Sequence, residues 1–153
     1  MKRLLSTLIA FVTLTITAVA QQNLEIGRLF GGRYSSDPSV SEVMINGEQR
    51  FLTSHRLTAL ATFRGAAKTY AAIAQQLVLA DGKGAHARNV RYKDGRLQYA
   101  FFALPPKPDN EKENRFIYYL NNGQGDKGSI IVIYIAGEIS CTRAESIITS
   151  LAK

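Results

Sequence analysis

Residues Ser129 to Ala136 hold Ile130, Ile131, Val132, Ile133, Tyr134 and Ile135 without a break. The run is too short and too rich in β-branched residues for a helix, so it reads as a strand. Side chains alternate faces along a strand, and this one is apolar on both. Such a strand belongs inside a sheet that is covered on each side. Either helices of the same chain pack on both faces, or one face meets a partner. The remaining sequence must supply neighbouring strands and that cover.

The neighbours are readable upstream. Asp94-Gly95 is a two-residue hairpin signal. It sets Lys93 opposite Arg96, Tyr92 opposite Leu97, Arg91 opposite Gln98 and Val90 opposite Tyr99. One face of the hairpin is then Val90, Tyr92, Leu97, Tyr99 and Phe101, and the other Arg91, Lys93, Arg96 and Gln98. Pro105-Pro106 and Pro108 stop the second strand, because proline cannot donate to a ladder. Asp109 to Asn114 form a charged loop, and Phe116 to Leu120 make a further strand. Nearer the N-terminus, Val40 to Ile45 reads as a strand closed by Asn46-Gly47. Residues 51–63 suit either state, with the weight on a strand over Leu57 to Phe63.

Helices are indicated in three places. Asn23 to Phe30 forms a short one, stopped by Gly31-Gly32. Ala66, Tyr70, Ile73, Leu77 and Ala80 make an apolar stripe at helical spacing, ended by Asp81-Gly82. Thr142 and Glu145 have capping-box spacing ahead of Ile147, Ile148 and Leu151. The expected architecture is α+β: an antiparallel meander of four or more strands packed with two or three helices.

The first twenty residues have the composition of an export signal. Lys2 and Arg3 precede an apolar stretch from Leu4 to about Thr17, and Ala18-Val19-Ala20 is a small-x-small cleavage site. The stretch carries Ser6 and four threonines and falls short of the roughly 20 residues a bilayer span needs. Residues 1–20 are therefore expected to be removed as a signal peptide, leaving residues 21–153 as one α+β domain. Without a cysteine at the cut, no lipid anchor is expected there. Removing Lys2 and Arg3 takes the formal charge from +7 to +5. That balance suits anionic envelope surfaces or acidic partners. The basic residues are scattered rather than clustered with aromatics, and an exported chain meets little nucleic acid, so nucleic acid is not expected as a partner.

Chemistry-bearing motifs are sparse. Gly123-Gln124-Gly125-Asp126-Lys127-Gly128 matches G-x-G-x-x-G, but the dinucleotide fingerprint needs a helix next. A strand follows, so the glycines read as a hairpin loop. His55 and His86 are the only histidines and lie far apart in the sequence without a matching set of carboxylates or thiolates. The nucleophile elbow G-x-S-x-G is absent. Cys141 is the only cysteine, which excludes an internal disulfide and any multi-cysteine metal site. It precedes the last helix, where amide dipoles can activate a thiol; a small buried apolar residue is the favoured reading. Asp109, Glu111 and Glu113, interleaved with Lys107, Lys112 and Arg115, read as a solvated connection. No metal or other cofactor is expected.

Three stretches together bear a resemblance. Tyr92-x-Asp94-Gly95-Arg96-Leu97-x-Tyr99-Ala100-Phe101, with Leu104-Pro105-Pro106, is followed by Asn114-Arg115-Phe116-Ile117-Tyr118-Tyr119-Leu120-Asn121 and then Ile133-Tyr134-Ile135-Ala136-Gly137. Together they resemble a family of small exported proteins of unknown function from Gram-negative gut anaerobes. The resemblance implies export and a compact α+β domain, and carries no activity over to any residue.

The functional expectation is a non-enzymatic periplasmic domain that binds an envelope protein or an anionic envelope component. Arg91, Lys93 and Arg96, with Lys83 nearby in sequence, are the candidate surface; the competing reading is a solvated strand guarded by charge. A hydrolase of envelope material, its residues scattered through the fold, is the alternative. A homodimer joined at the sheet is a third reading.

Overall fold

The computed structural model describes residues 23–123 and 125–153. The expected signal peptide, and Gln124 of the glycine motif, lie outside the described residues. Six strands form one fully antiparallel sheet: β1 (Ser41–Asn46), β2 (Leu57–Ala66), β3 (Ala87–Lys93), β4 (Arg96–Leu104), β5 (Asn114–Asn121) and β6 (Ser129–Gly137), in spatial order β1-β2-β6-β5-β4-β3. Three α-helices accompany them: α1 (Arg50–Ser54), α2 (Ala67–Gly82) and α3 (Cys141–Leu151). The α+β architecture and the β3–β6 meander are as the sequence indicates.

The run that opened the sequence becomes β6, and it lies third from the β1 edge, between β2 and β5. Ile130, Val132 and Tyr134 belong to the core beneath α2. Ile131, Ile133 and Ile135 belong to the core beneath α1 and α3. All six are buried, and side chains of this class contribute about 1.5–3 kcal/mol each when fully buried. The chain's own helices thus cover both faces of this strand.

Residues 51–63 contain both states. A single turn of helix, α1, places Leu52 in the core, and Arg56 then takes a left-handed φ of 60° before β2 begins. The expected helix at Asn23 to Phe30 is shorter and tighter, a 3-10 turn at Glu25–Leu29. Its opening amides, those of Glu25 and Ile26, donate to the Asp81 carboxylate at 2.7 and 2.8 Å. Asp81, expected only to end α2, therefore also anchors this turn. Its carboxyl is pushed above the usual carboxylate range by burial, against the pull of those two amides.

Helix α2 buries a stripe shifted from the expected one: Ala67, Tyr70, Ala74, Leu77, Val78 and Gly82. Tyr70 meets Phe63 and Tyr34 edge to face, with ring centroids 5.4 and 5.2 Å apart. Its hydroxyl donates to Asp37 at 2.5 Å, fastening the loop before β1 to the helix.

The β3–β4 register departs from a regular hairpin. Lys93 faces Arg96 and Tyr92 faces Leu97 as expected, but Arg91 then faces Tyr99 and Val90 faces Ala100. A bulge therefore absorbs Gln98. It turns Leu97 onto the α2 side with Ala100 and Phe102, while Tyr99 and Phe101 lie on the α3 side. The expected grouping of Leu97 with Tyr99 and Phe101 is thus corrected. The physical reason is a long-range partner: the Leu97 amide donates to Gln75 Oε1 of α2 at 2.9 Å, and a buried amide needs such an acceptor.

The start of α3 also differs. Ser140 is the N-cap, its hydroxyl accepting from the Arg143 amide at 3.2 Å. Ile139 and Ala144, on either side of this cap, are both buried in the α3-side core and stand at hydrophobic-staple spacing. Cys141, the first helical residue, is exposed rather than buried, because Ile139 supplies the apolar anchor at this end.

Candidate functional site

A concave surface lies at the end of the sheet where β2 runs into α2. Local sequence builds each of its three walls. Gly65 allows the Tyr70 ring to pack against β2, since a Cβ there would stand 2.6 Å from that ring. With the first turn of α2 held there, Ala67, Lys68 and Ala71 form one wall. Asp94-Gly95 supplies the two left-handed residues, φ 51° and 75°, that fold the β3–β4 hairpin. The bulge then aims its tip, with Lys93, Arg96, Leu97 and Gln98, at the helix. The third wall is the β5–β6 connection, with Asn121, Asn122 and Asp126. Together they enclose a cleft of about 890 Å³.

The motif glycines shape that third wall. Gly123 and Gly128 face each other so closely that a Cβ on Gly123 would stand 2.3 Å from the Gly128 Cα. Gly125 has a φ of 78°. Close backbone approach and left-handed conformation are the two standard uses of glycine, and β6 follows. The motif is the neck of a hairpin, as the missing helix indicates.

The cleft's lining carries three cations, Lys68, Lys93 and Arg96, against two carboxylates, Asp94 and Asp126. Lys68 and Asp126 pair across it at 3.5 Å, but both are well exposed and the pair contributes little. Lys93 and Arg96 form no ion pair among the described residues. Helix α2 opens here under an N-cap, Ala66, that has no side-chain cap; only the Ala67 amide is taken, by the Gly128 carbonyl at 2.9 Å. The N-terminus of a helix this long carries about half a positive charge.

The structure gathers the candidate residues only in part. Lys93 and Arg96 line the cleft together. Arg91 lies outside its lining, with its guanidinium 4.5 Å from the centre of the Tyr99 ring. Lys83 caps the far end of α2, roughly 20 Å away along a seven-residue strand at ~3.3 Å per residue. Lys68, Asn121 and Asn122 carry no local motif, and only the fold brings them to the site.

The remaining titratable groups are dispersed. His55 ends α1, its Nδ1 3.3 Å from an Arg143 Nη and its ring against Phe51. His86 immediately precedes β3, at the opposite edge of the sheet, its amide donating to the Ala103 carbonyl. Glu113 accepts from the Asn110 side chain at 3.2 Å within an exposed loop. Among the described residues, no three of His, Cys, Asp and Glu gather where one metal ion could reach them. No helix among them is long and apolar enough to cross a membrane.

Fold and site together define a small α+β domain: an antiparallel sheet between helices, with an open cleft of amides, cations and two carboxylates at one end. The chain belongs to DUF6108, a family of unknown function, which matches it over residues 13–148. No curated protein and no solved structure matches it.

Proposed function

We propose that the chain is an exported, non-enzymatic binding domain of the cell envelope, and that its cleft takes an anionic group of an envelope protein or polymer. One observation carries the reading. Lys93 and Arg96 face each other across the hairpin tip, at the mouth of a cleft that also receives the N-terminus of α2. Two cations free of ion pairs beside a helix terminus make a surface for a carboxylate or phosphate, and Gln98, Asn121 and Asn122 offer neutral donors around it. Export rests on Lys2, Arg3, the apolar stretch and Ala18-Val19-Ala20.

Two measurements test the two halves of the proposal. Retention of the protein on envelope fractions at low salt should fall at least several-fold in the Lys93→Glu/Arg96→Glu variant, and fall with added salt in the wild type. Retention unchanged by the double reversal overturns the binding site. Mass spectrometry of the protein recovered from its own cells should begin at Gln21; an intact Met1 overturns the cleaved signal.

A further inference from the structure

The two edges of the sheet are built differently. At one edge, β3 carries Arg88, Arg91 and Lys93, all exposed. Charges of this kind are how proteins keep an unpaired strand from pairing with another chain. At the other edge, β1 reads Ser-Glu-Val-Met-Ile-Asn, with no lysine, arginine or proline. Its one charge, Glu42, is engaged by the amides of Gly31 and Gly32, the shortest contact being 2.7 Å. Val43 is 47% exposed, and it is one of three large apolar side chains that stand open to this degree among the described residues.

The backbone of β1 shows which groups that edge offers. The Gly47 amide donates to the Thr58 carbonyl in the register that pairs Ile45 with Leu60. Hydrogen-bonded and non-hydrogen-bonded pairs alternate in an antiparallel ladder. Ser41, Val43 and Ile45 therefore point their amides and carbonyls at β2. Glu42, Met44 and Asn46 point theirs outward. That spacing is self-complementary about a two-fold axis at Met44: Met44 meets Met44 of the second copy, and Glu42 meets Asn46 at both ends. Three such pairs exchange six hydrogen bonds. The same register sets Val43 directly opposite Ile45 of the second copy, in the non-hydrogen-bonded position where side chains approach most closely. The exposed valine is covered by a half-buried isoleucine, twice.

We propose that two copies of this chain join antiparallel through β1, centred on Met44, into one continuous twelve-stranded sheet. The second copy is the occupant because the edge matches itself in hydrogen bonds and in apolar contact and sets no like charges opposite each other. Two copies meeting at β3 would oppose Arg88, Arg91 and Lys93. A two-fold contact of this kind is closed and stops at the dimer. No residue of β1 lines the cleft, so the contact is made outside it.

Light scattering of the full chain as purified, whether or not its leader is removed, should give twice the chain mass. Val43→Lys, at a position half open in the single copy, should halve that mass with the circular dichroism unchanged. In a Cys141→Ser background, Met44→Cys should form a disulfide-linked dimer on oxidation, since directly opposed residues stand about 5.5 Å apart at Cα and disulfides span about 4.4–6.8 Å. Val43→Cys in the same background should not, because it faces Ile45. A wild-type monomer, a Val43→Lys dimer, a ladder of heavier species from β1 meeting β3, or crosslinking through Val43→Cys instead of Met44→Cys would each overturn the proposal.

Discussion

Gly82→Ala sets two well-characterised effects against each other. Gly82 is the last residue of α2, is buried, and has no left-handed φ. On helix propensity alone, alanine there is the better residue by at most about 1 kcal/mol. A Cβ at this position, however, would stand 2.5 Å from both Cε2 and Cζ of Phe102. Ordinary contact needs about 1 Å more than that, given that carbon atoms pack at ~3.5–4.0 Å. Phe102 is fully buried, with the Arg88 guanidinium 5.5 Å from its ring centre, so the ring has little room to withdraw. Overpacking costs about 1–3 kcal/mol, and a confined ring with this short an approach takes the upper part, about 2–3 kcal/mol, leaving a net loss of about 1–2 kcal/mol after a propensity gain of about 1 kcal/mol. With a urea m-value of about 2 kcal/mol/M, the unfolding midpoint should fall by roughly 0.5–1 M. Combining Gly82→Ala with Phe102→Leu should cost less than the two changes separately, by at least ~0.5 kcal/mol of coupling. A midpoint equal to or above wild type, or strict additivity, would refute the reasoning, since either shows that the ring does not hold the helix end.

Two further outcomes follow from other contacts. Gln75→Leu leaves the buried Leu97 amide without its acceptor and should cost about 1–3 kcal/mol, with faster hydrogen exchange at Leu97; Gln75→Glu, which keeps an acceptor, should recover most of the loss, and equal effects of the two would rule out the bulge contact. Burial pushes the Tyr119 hydroxyl up to about 12, with the Asn121 side chain pulling the other way. A phenol raised above its ordinary value of about 10 stabilises the fold in full below that pH, and the contribution is lost as pH climbs from ~10 toward 12. Urea midpoints should therefore decline over that window, and Tyr119→Phe should flatten part of the slope; an unaltered slope would contradict the assignment.

Local sequence carried the fold further than it carried the site. The Ile130–Ile135 run and the Asp94-Gly95 turn were legible because a strand's facing pattern and a hairpin's chirality are properties of adjacent residues. The bulge was not. Leu97-Gln98-Tyr99 alternates acceptably for an unbroken strand, and what diverts it is a side chain 22 positions upstream. Cys141 misled for a related reason: cysteine is usually buried, yet the residue two positions before it already fills the apolar place. Lys93 and Arg96 were readable as neighbours because the turn pairs them. Their company was not, since Lys68, Asn121 and Asn122 reach the cleft only through the path of α2 across the sheet and the return of the meander.

That path has a consequence for how the molecule comes into being. Strands β2 and β6 are adjacent in the sheet but roughly 60–80 residues apart in the chain, and pairings of such separation form late because loop closure must precede them. The centre of the sheet is thus completed by β6, the last in sequence of the described strands. Until β6 arrives, the β1–β2 hairpin and the β3–β5 meander are two half-sheets with open apolar edges, and neither can complete the core. A chain wired this way cannot close its core until β6 has joined β2.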